Sequence, residues 1–199
     1  MPRNSYTWRY VCPFLWGFAT PQAVTEKSFI EHLQGVSLRT GFTGVGDDGC
    51  VFGDHIYSTD QFLEKTHFTW DQMGPEQIGF KAVVQALSDL AAMASSPQGL
   101  LCSAAWPRET NERMEKVFAG VERACRTYGI PLLGGDISAS QALTYLDFMV
   151  IGKNENPPSK KDIQAGDRLA VTGALGSASG GLFAINHHLT YPELRGAFC

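Results

Sequence analysis

The sequence predicts an α/β or α+β fold in which a mixed sheet packs on helices. Apolar segments of strand length alternate along the chain with two long segments whose apolar residues recur at the 3.6-residue spacing of a helix. The composition supports a packed core, since 44% of the 199 residues are hydrophobic and only 18% are charged. The length suits one domain, or one domain and the start of another.

The first third of the chain contains short elements and a glycine-rich loop. Residues 1–27 are rich in aromatic side chains without a regular spacing, which predicts an irregular N-terminal arm. Apolar positions in SFIEHLQGV (28–36) predict a short helix. The segment GVGDDG (44–49) is typical of a loop, and residues 50–60 predict a strand, a turn and a second strand that enters an acidic loop at Ser58–Asp60.

The clearest helix begins at Pro75, a residue that the first helical turn tolerates. Asp89 lies near the C-terminal end of this helix, where the helix dipole disfavours negative charge, and this makes it a candidate functional residue. The apolar stripe that predicts the helix comprises Ile78, Ala82, Val83, Ala86, Leu87, Leu90 and Ala91.

The second half of the chain continues the alternation of strands and helices. Thr110 is the predicted N-cap of a second long helix, and Gly129 its C-terminal stop. The polar segment 154–166, which contains Pro157-Pro158, is the predicted linker. The further elements are strands at 99–106, 130–138, 142–152 and 167–173, followed by a glycine-rich turn into a helix.

Charge and cysteine content narrow the class of protein. The net charge is −4 and no run of Lys or Arg occurs, so a nucleic-acid or membrane-surface partner has no electrostatic support. No apolar run reaches the roughly 18 residues of a membrane span. The five scattered cysteines form no C-x-x-C pair, which favours free thiols in a reducing compartment and predicts a cytoplasmic protein.

Acidic residues follow several predicted apolar elements. Asp47-Asp48, Asp60 and Asp136 end loops, and Asp89 ends a helix, so all of them could converge on one edge of the sheet. Converging carboxylates repel one another unless protons or cations neutralise them. Hard divalent cations such as Mg²⁺ bind such oxygen ligands, among which the Ser58 and Thr59 hydroxyls would also count. The alternative is that these are ordinary surface acids in turns.

A carboxylate cluster of this kind suggests an enzyme that uses a metal-bound nucleotide. The familiar glycine motifs are missing, since the sequence contains neither G-x-x-x-x-G-K-[ST] nor a protein-kinase glycine loop. Gly134-Gly135-Asp136 would let backbone N–H groups approach a phosphate, although this tripeptide alone is weak evidence.

Five segments in this order resemble a known superfamily: GVGDDG, STDQFLEKTHF, ALSDLAAMASSP, LLGGDIS and AGDRLAVTGALGSASGGL. The superfamily is ATP-dependent and includes aminoimidazole-ribonucleotide synthetase, selenophosphate synthetase, a hydrogenase-maturation protein and thiamine-monophosphate kinase. The sequence is most similar to thiamine-monophosphate kinase, through STD followed by His67-Phe68 and through SDLAAM (88–93). The resemblance covers roughly residues 28 to 185.

The resemblance implies transfer of the γ-phosphoryl group of ATP directly, in line, onto thiamine monophosphate, with several Mg²⁺ ions bridging the phosphates. It implies a homodimer formed through the sheet of the first domain, with ATP near the subunit boundary. It implies His67 as a contact to the substrate, and Gly135, Asp136 and Lys160 as contacts to ATP. The implied metal ligands are Asp48, Ser58, Thr59, Asp60, Asp89 and Asp136.

The resemblance also implies a division of the chain. Residues 28–153 would form the N-terminal domain that binds ATP and Mg²⁺, and residues 167–199 a truncated start of a C-terminal domain. Such families usually carry a glycine two residues before the histidine, where this chain has Lys65. They carry an arginine in the linker, where this chain has Lys160 or Lys161. Other readings are another ATP-dependent synthetase of the superfamily, or an inactive nucleotide-binding or dimerisation module.

Overall fold

A five-stranded mixed sheet is the centre of the fold. A computed structural model describes residues 25–40, 44–171, 173 and 175–191. The strands follow the order β1-β2-β5-β3-β4, and only β3 and β4 run parallel to each other. The elements are α1 (Glu26–Thr40), β1 (Cys50–Phe52), β2 (His55–Leu63), α2 (Pro75–Ala92), β3 (Ser96–Trp106), α3 (Asn111–Tyr128), β4 (Leu132–Ala139), β5 (Tyr145–Lys153) and α4 (Ser177–Asn186).

The mixed sheet packed on helices confirms the predicted fold class. The parallel pair β3 and β4 is joined through α3, because a parallel connection needs a crossover long enough to hold a helix. The other pairs are antiparallel, and β5 lies between β2 and β3 although it is the last of the described strands in sequence. Strand order of this kind depends on pairing between distant segments and does not follow from the order of elements along the chain.

The helices cover one face of the sheet. Helix α2 packs on β2, β5 and β3, and α3 packs on α2. The two helices approach closely at Gly79 and Gly120, where a Cβ atom would lie 1.9 Å from the Val117 carbonyl oxygen and 2.0 Å from that of Glu76, respectively. The largest fully buried side chains beneath them include Ile56, Phe62, Phe68, Ile78, Leu90, Leu100, Met114, Leu146 and Phe148.

The two long helices that the periodicity of the sequence predicts are confirmed. Helix α2 begins at Pro75, and its predicted stripe is buried except for Ala91. Helix α3 ends at Gly129, whose φ of 64° lies in the left-handed region where a side chain is strained. Thr110 occupies the N-cap position, but its hydroxyl donates to the Pro107 carbonyl at 2.7 Å and does not cap the helix.

Two predictions about strands are wrong. Ser58–Asp60 is not a loop but the middle of β2, because these residues pair with Val150, Met149 and Phe148 of the central strand β5. The predicted strand 167–173 is not formed in its described part, residues 167–171 and 173. These residues are exposed and pair with no described strand, and a strand needs a partner for its backbone hydrogen bonds.

The predicted arm, residues 1–27, lies largely outside the described residues, which begin at residue 25. The predicted domain start at residue 28 falls within helix α1. The division into arm, domain, linker and second domain stays a prediction. None of the described helices is both long and apolar enough to cross a membrane. The described cysteines Cys50, Cys102 and Cys125 are free thiols, and burial raises the pKa of Cys102 to about 12.

Candidate metal and nucleotide site

The middle of β2 directs consecutive side chains to opposite faces of the sheet. Successive residues of a strand alternate, so Ser58 and Asp60 share the helix-covered face with the buried Ile56 and Phe62. Thr59 lies on the other face, which no described helix covers and which we call the open face. The sequence STD therefore presents hydroxyl and carboxylate oxygens to two different surfaces.

On the helix-covered face, β2 and α2 together present an acidic group. The Ser58 hydroxyl donates to an Asp89 carboxylate oxygen at 2.5 Å, and the Gln85 side-chain amide donates to Asp60 at 2.8 Å. Burial is the main reason that the pKa of Asp89 is raised. The hydrogen bond from Ser58 opposes this rise, whereas the charges of Asp60 and Asp48 add to it. A bound cation would relieve this repulsion.

The glycine-rich loop is held against the segment that follows β5. The Ser159 hydroxyl donates to an Asp47 carboxylate oxygen at 2.6 Å, and the Lys160 ammonium lies 2.7 Å from Asp48. Burial by itself would raise the pKa of Asp47. The hydrogen bonds from Ser159 and from backbone N–H groups lower it by more, so the pKa lies below its ordinary value. A cavity of about 310 Å³ lies between this loop and residues 157–161.

The open face carries a second polar group. The Thr59 hydroxyl donates to an Asp147 carboxylate oxygen at 2.6 Å. Asp147 is opposite Gln61 on one side and Ser103 on the other, and Asp136 is opposite Ser103 on β4. Asp136 therefore shares the open face with Thr59, three strand spacings from β2, which corresponds to about 14 Å.

The predicted metal ligands are thus not all brought together. Ser58, Asp60 and Asp89 form one group near Asp48, but the expected convergence of all the acids is wrong for Asp136 within one chain. The physical reasons are the alternation along β2 and the two strands that separate β2 from β4. Among the described residues, no three or more His, Cys, Asp or Glu side chains lie close enough together to hold a metal ion.

Gly135 has a structural role of its own in the sheet. Its φ is 154°, and a Cβ atom there would lie 1.7 Å from the Cys102 carbonyl oxygen of β3. The sheet therefore requires glycine at this position whether or not a nucleotide approaches it. Its predicted contact with ATP stays a prediction.

His67 lines a separate cavity of about 220 Å³ between the loop after β2 and helix α4. Its ring stacks on Phe62, with 5.6 Å between the ring centroids, and its Nδ1 accepts the Leu63 backbone N–H at 3.0 Å. An acceptor role for Nδ1 places the proton of the neutral ring on Nε2, which is then a donor. Its role as substrate contact stays a prediction.

Sequence reasoning missed the partners of the predicted ligands. Gln85 on α2 donates a hydrogen bond to Asp60, and Asp147 on β5 accepts one from Thr59. Asp147 interrupts the apolar segment TYLDFMV at a position that alternation assigns to the face opposite Phe148, and this signal was available. Lys65, which departs from the glycine of the family pattern, has a φ of 66° and lies in the wall of the His67 cavity.

Comparison with known proteins decides the family. The model of the family described as AIR synthase related protein, N-terminal domain, matches residues 46–153, which hold the whole sheet and helices α2 and α3. The chain belongs to this family. The match begins within the glycine-rich loop and ends at the last residue of β5, so the acidic group around Asp60 and the open face both lie inside it.

Within the AIR synthase related family, the chain is similar to thiamine-monophosphate kinases, as the resemblance indicated. One such kinase, from Rhodopirellula baltica, is 33% identical over 168 residues, which are 77% of this chain and 53% of the relative. A crystal structure of thiamine monophosphate kinase from Aquifex aeolicus superposes with a TM-score of 0.69 at 25% identity, covering 84% of this chain and 55% of the other.

A structure of AaThiL complexed with AMPPCP and TMP also matches, with a TM-score of 0.72 and 25% identity, over 88% of this chain and 57% of the other. The present chain spans about half the length of the curated relatives it matches.

Proposed function

We propose that this protein phosphorylates thiamine monophosphate to thiamine diphosphate with ATP, as part of thiamine biosynthesis in the cytoplasm. The observation that carries the proposal is the similarity to thiamine-monophosphate kinases across 77% of the chain. The match with a structure complexed with AMPPCP and TMP supports the same two ligands, a nucleotide and thiamine monophosphate.

The chemistry of the acidic group fits Mg²⁺. Hard oxygen ligands are offered by Asp48, Asp60, Asp89 and the Ser58 hydroxyl. In the structure the Lys160 ammonium forms an ion pair with Asp48. Mg²⁺ typically takes one or two carboxylates and fills its other positions with water and phosphate oxygens, so a preformed group of three is not needed. When bound, Mg²⁺ would neutralise the phosphates for a direct in-line transfer.

The other site residues would position the two substrates. We assign Lys160 to the phosphates of ATP, since its ammonium is carried by a segment that borders the cavity beside the glycine-rich loop. Gly135 and Asp136 would contact ATP from β4, and His67 would contact thiamine monophosphate from the loop after β2. The Nε2–H of His67 is the donor that its ring offers, because Leu63 occupies Nδ1.

The separation of the acids gives a homodimer a chemical role in this proposal. Asp136 lies about 14 Å from β2 within one chain, and β4 is an edge strand whose residues are all exposed. A second copy that covers the open face would bring its own Asp136 toward Thr59 and Asp147 of the first copy. Sites shared across a two-fold axis in this way occur twice in each dimer.

The direct experiment incubates the purified chain with ATP, Mg²⁺ and thiamine monophosphate and measures thiamine diphosphate. Formation of thiamine diphosphate that requires Mg²⁺ supports the proposal. A parallel thermal-shift experiment tests the binding step, since a ligand that binds only the folded protein raises its stability. Mg-ATP that leaves the melting temperature unchanged would contradict the proposed use of ATP.

A second candidate is a nucleotide-binding or dimerisation module without catalysis. The observation that favours it is that, among the described residues of one copy, no three His, Cys, Asp or Glu side chains converge on a metal position and Asp136 lies apart from Asp60. Stabilisation by Mg-ATP without any thiamine diphosphate would select this candidate over the kinase.

Single variants test the metal ligands, and a mixture of variants tests the shared site. Asp60→Asn and Asp136→Asn are each expected to weaken the binding of Mg-ATP, because each removes a negative oxygen ligand. If the open-face site is shared, mixing Thr59→Val with Asp136→Asn restores about a quarter of the wild-type sites, all in mixed dimers, because Thr59 of one copy would meet Asp136 of the other there. Unchanged binding in both single variants would remove the metal assignment, and no recovery on mixing would remove the shared site.

A further inference from the structure

The cavity beside His67 differs in charge from the rest of this acidic protein. Among the described residues, its walls contain one lysine, one histidine and no acid, although the chain carries a net charge of −4. The residues that line it are Lys65, Thr66, His67, Phe68, Thr69, Gln72, Leu182 and Asn186.

The cavity is built from two parts of the chain that a hydrogen bond joins. The Gln72 side-chain amide donates to the Asn186 side-chain oxygen at 2.8 Å, which ties the loop after β2 to helix α4. Phe68 at its base is buried and stacks on Phe62 with 5.4 Å between the ring centroids. An apolar base with polar walls is typical of a small-molecule site.

Lys65 is placed at this cavity by a strained backbone. Its φ of 66° is a conformation that glycine adopts without cost and a lysine adopts only when its surroundings impose it. Its N–H donates to the Phe68 carbonyl at 2.7 Å, and the neighbouring Thr66 N–H donates to the Leu63 carbonyl at 3.3 Å, so the turn is held from both sides. Strained residues of this kind concentrate at binding sites.

We propose that Lys65 is a specificity-determining residue that binds the phosphate of a phosphomonoester in the His67 cavity. The exposed Lys65 ammonium supplies the charge, and the Nε2–H of His67 supplies a directed donor next to it. This inference rests on the proposed function, because thiamine monophosphate is the phosphomonoester that it names. Thiamine, which lacks the phosphate, would gain nothing from Lys65.

The test measures binding of thiamine monophosphate, thiamine and inorganic phosphate to the purified chain by titration calorimetry. Lys65→Met is expected to weaken the binding of thiamine monophosphate about tenfold and leave thiamine unchanged, because only the phosphate loses its cation. Lys65→Arg retains the charge and should restore the affinity. Since Lys65 is exposed, the preference for thiamine monophosphate over thiamine should also fall as salt rises.

Lys116→Met on the exposed side of α3 is the matched control and should leave all three affinities at their wild-type values. Circular dichroism checks that each variant is folded. An equal loss for thiamine and thiamine monophosphate would show a merely structural role for Lys65 and overturn the inference, as would unchanged binding of thiamine monophosphate in Lys65→Met.

The inference and the proposed function can fail separately. Phosphate binding that depends on Lys65, without binding of thiamine monophosphate, keeps the anion site and rejects the proposed substrate. If Lys65→Met forms thiamine diphosphate as wild type does, the kinase activity stands and the phosphate-binding role of Lys65 is rejected. Binding of none of the three compounds rejects the cavity as a phosphomonoester site.

Discussion

The two faces of the sheet are made from the same strands but carry different chemistry. The helix-covered face buries Phe148 and Phe62 and places Ser58 and Asp60 next to Asp89 of α2. The open face carries Thr59 and Asp147 among exposed residues. The comparison teaches that one short motif can serve two surfaces, since neighbouring residues of a strand point in opposite directions.

The largest expected effect is a difference in stability loss between two neighbouring residues of β5, one on each face of the sheet. Phe148 is 0% exposed and Met149 is 37% exposed. Phe148→Ala should lower the free energy of unfolding by about 3–5 kcal/mol, because it leaves a cavity under α2. Met149→Ala should cost less than about 1 kcal/mol. Urea unfolding of both variants measures the difference, and equal losses would show that the open face is buried in solution.

The next effect concerns the stability of the helical layer on the covered face and tests how closely α2 and α3 must pack together. Gly79→Ala should destabilise the fold by about 1–3 kcal/mol, because the new methyl group would lie 1.9 Å from the Val117 carbonyl oxygen and force α2 and α3 apart. Lys116→Ala, on the exposed side of α3, is the control and should have almost no effect. Thermal melts of both variants provide the measurement. A neutral Gly79→Ala would mean that the helices lie farther apart.

A smaller effect concerns the turn in which β2 leaves the sheet. Lys65→Gly should raise the stability by up to about 1 kcal/mol, because glycine relieves the left-handed strain, partly offset by its greater freedom in the unfolded chain. Lys116→Gly in the middle of α3 should instead lower the stability by about 1 kcal/mol. Urea unfolding compares the two, and a destabilised Lys65→Gly would contradict the strain at this turn.

The smallest effect is electrostatic and belongs to the acidic group on the helix-covered face. Because the pKa of Asp89 is raised in the folded protein, its ionisation removes stability as the pH rises from the ordinary value of 3.8 through the folded pKa. Asp89→Asn should therefore be more stable than wild type at pH 7, by less than about 1 kcal/mol for this half-buried group. The gain should shrink toward pH 4.

Urea unfolding at both pH values measures this gain, with Glu115→Gln as an exposed control on α3. A stability difference for Asp89→Asn that is the same at pH 4 and pH 7 would contradict a raised pKa as its cause.

Much of the fold and part of the site could be predicted from local patterns. The stripes of α2 and α3 and the stop at Gly129 follow from helical periodicity and from the freedom of glycine, which are properties of neighbouring residues. Asp89 stands out in the sequence because an acid near the C-terminal end of a helix is disfavoured, and in the structure its pKa is raised, chiefly by burial.

The rest could not be predicted, because it depends on contacts between segments far apart in sequence. The polar triplet STD contains no reason to place Ser58–Asp60 inside a strand, since their pairing partner β5 lies about ninety residues later in the chain. The predicted strand 167–173 shows the reverse case, where a suitable sequence has no described partner to pair with.

The sequence by itself determined the α/β class, the two long helices, the family and the residue types that a phosphate and Mg²⁺ would need. Only the tertiary structure decided which of those residues meet. It placed Asp89 beside Ser58, separated Asp136 from Asp60 and brought Lys65 to the His67 cavity. The physical reason is that local periodicity specifies which face of an element a residue occupies, whereas strand order and helix packing specify its neighbours.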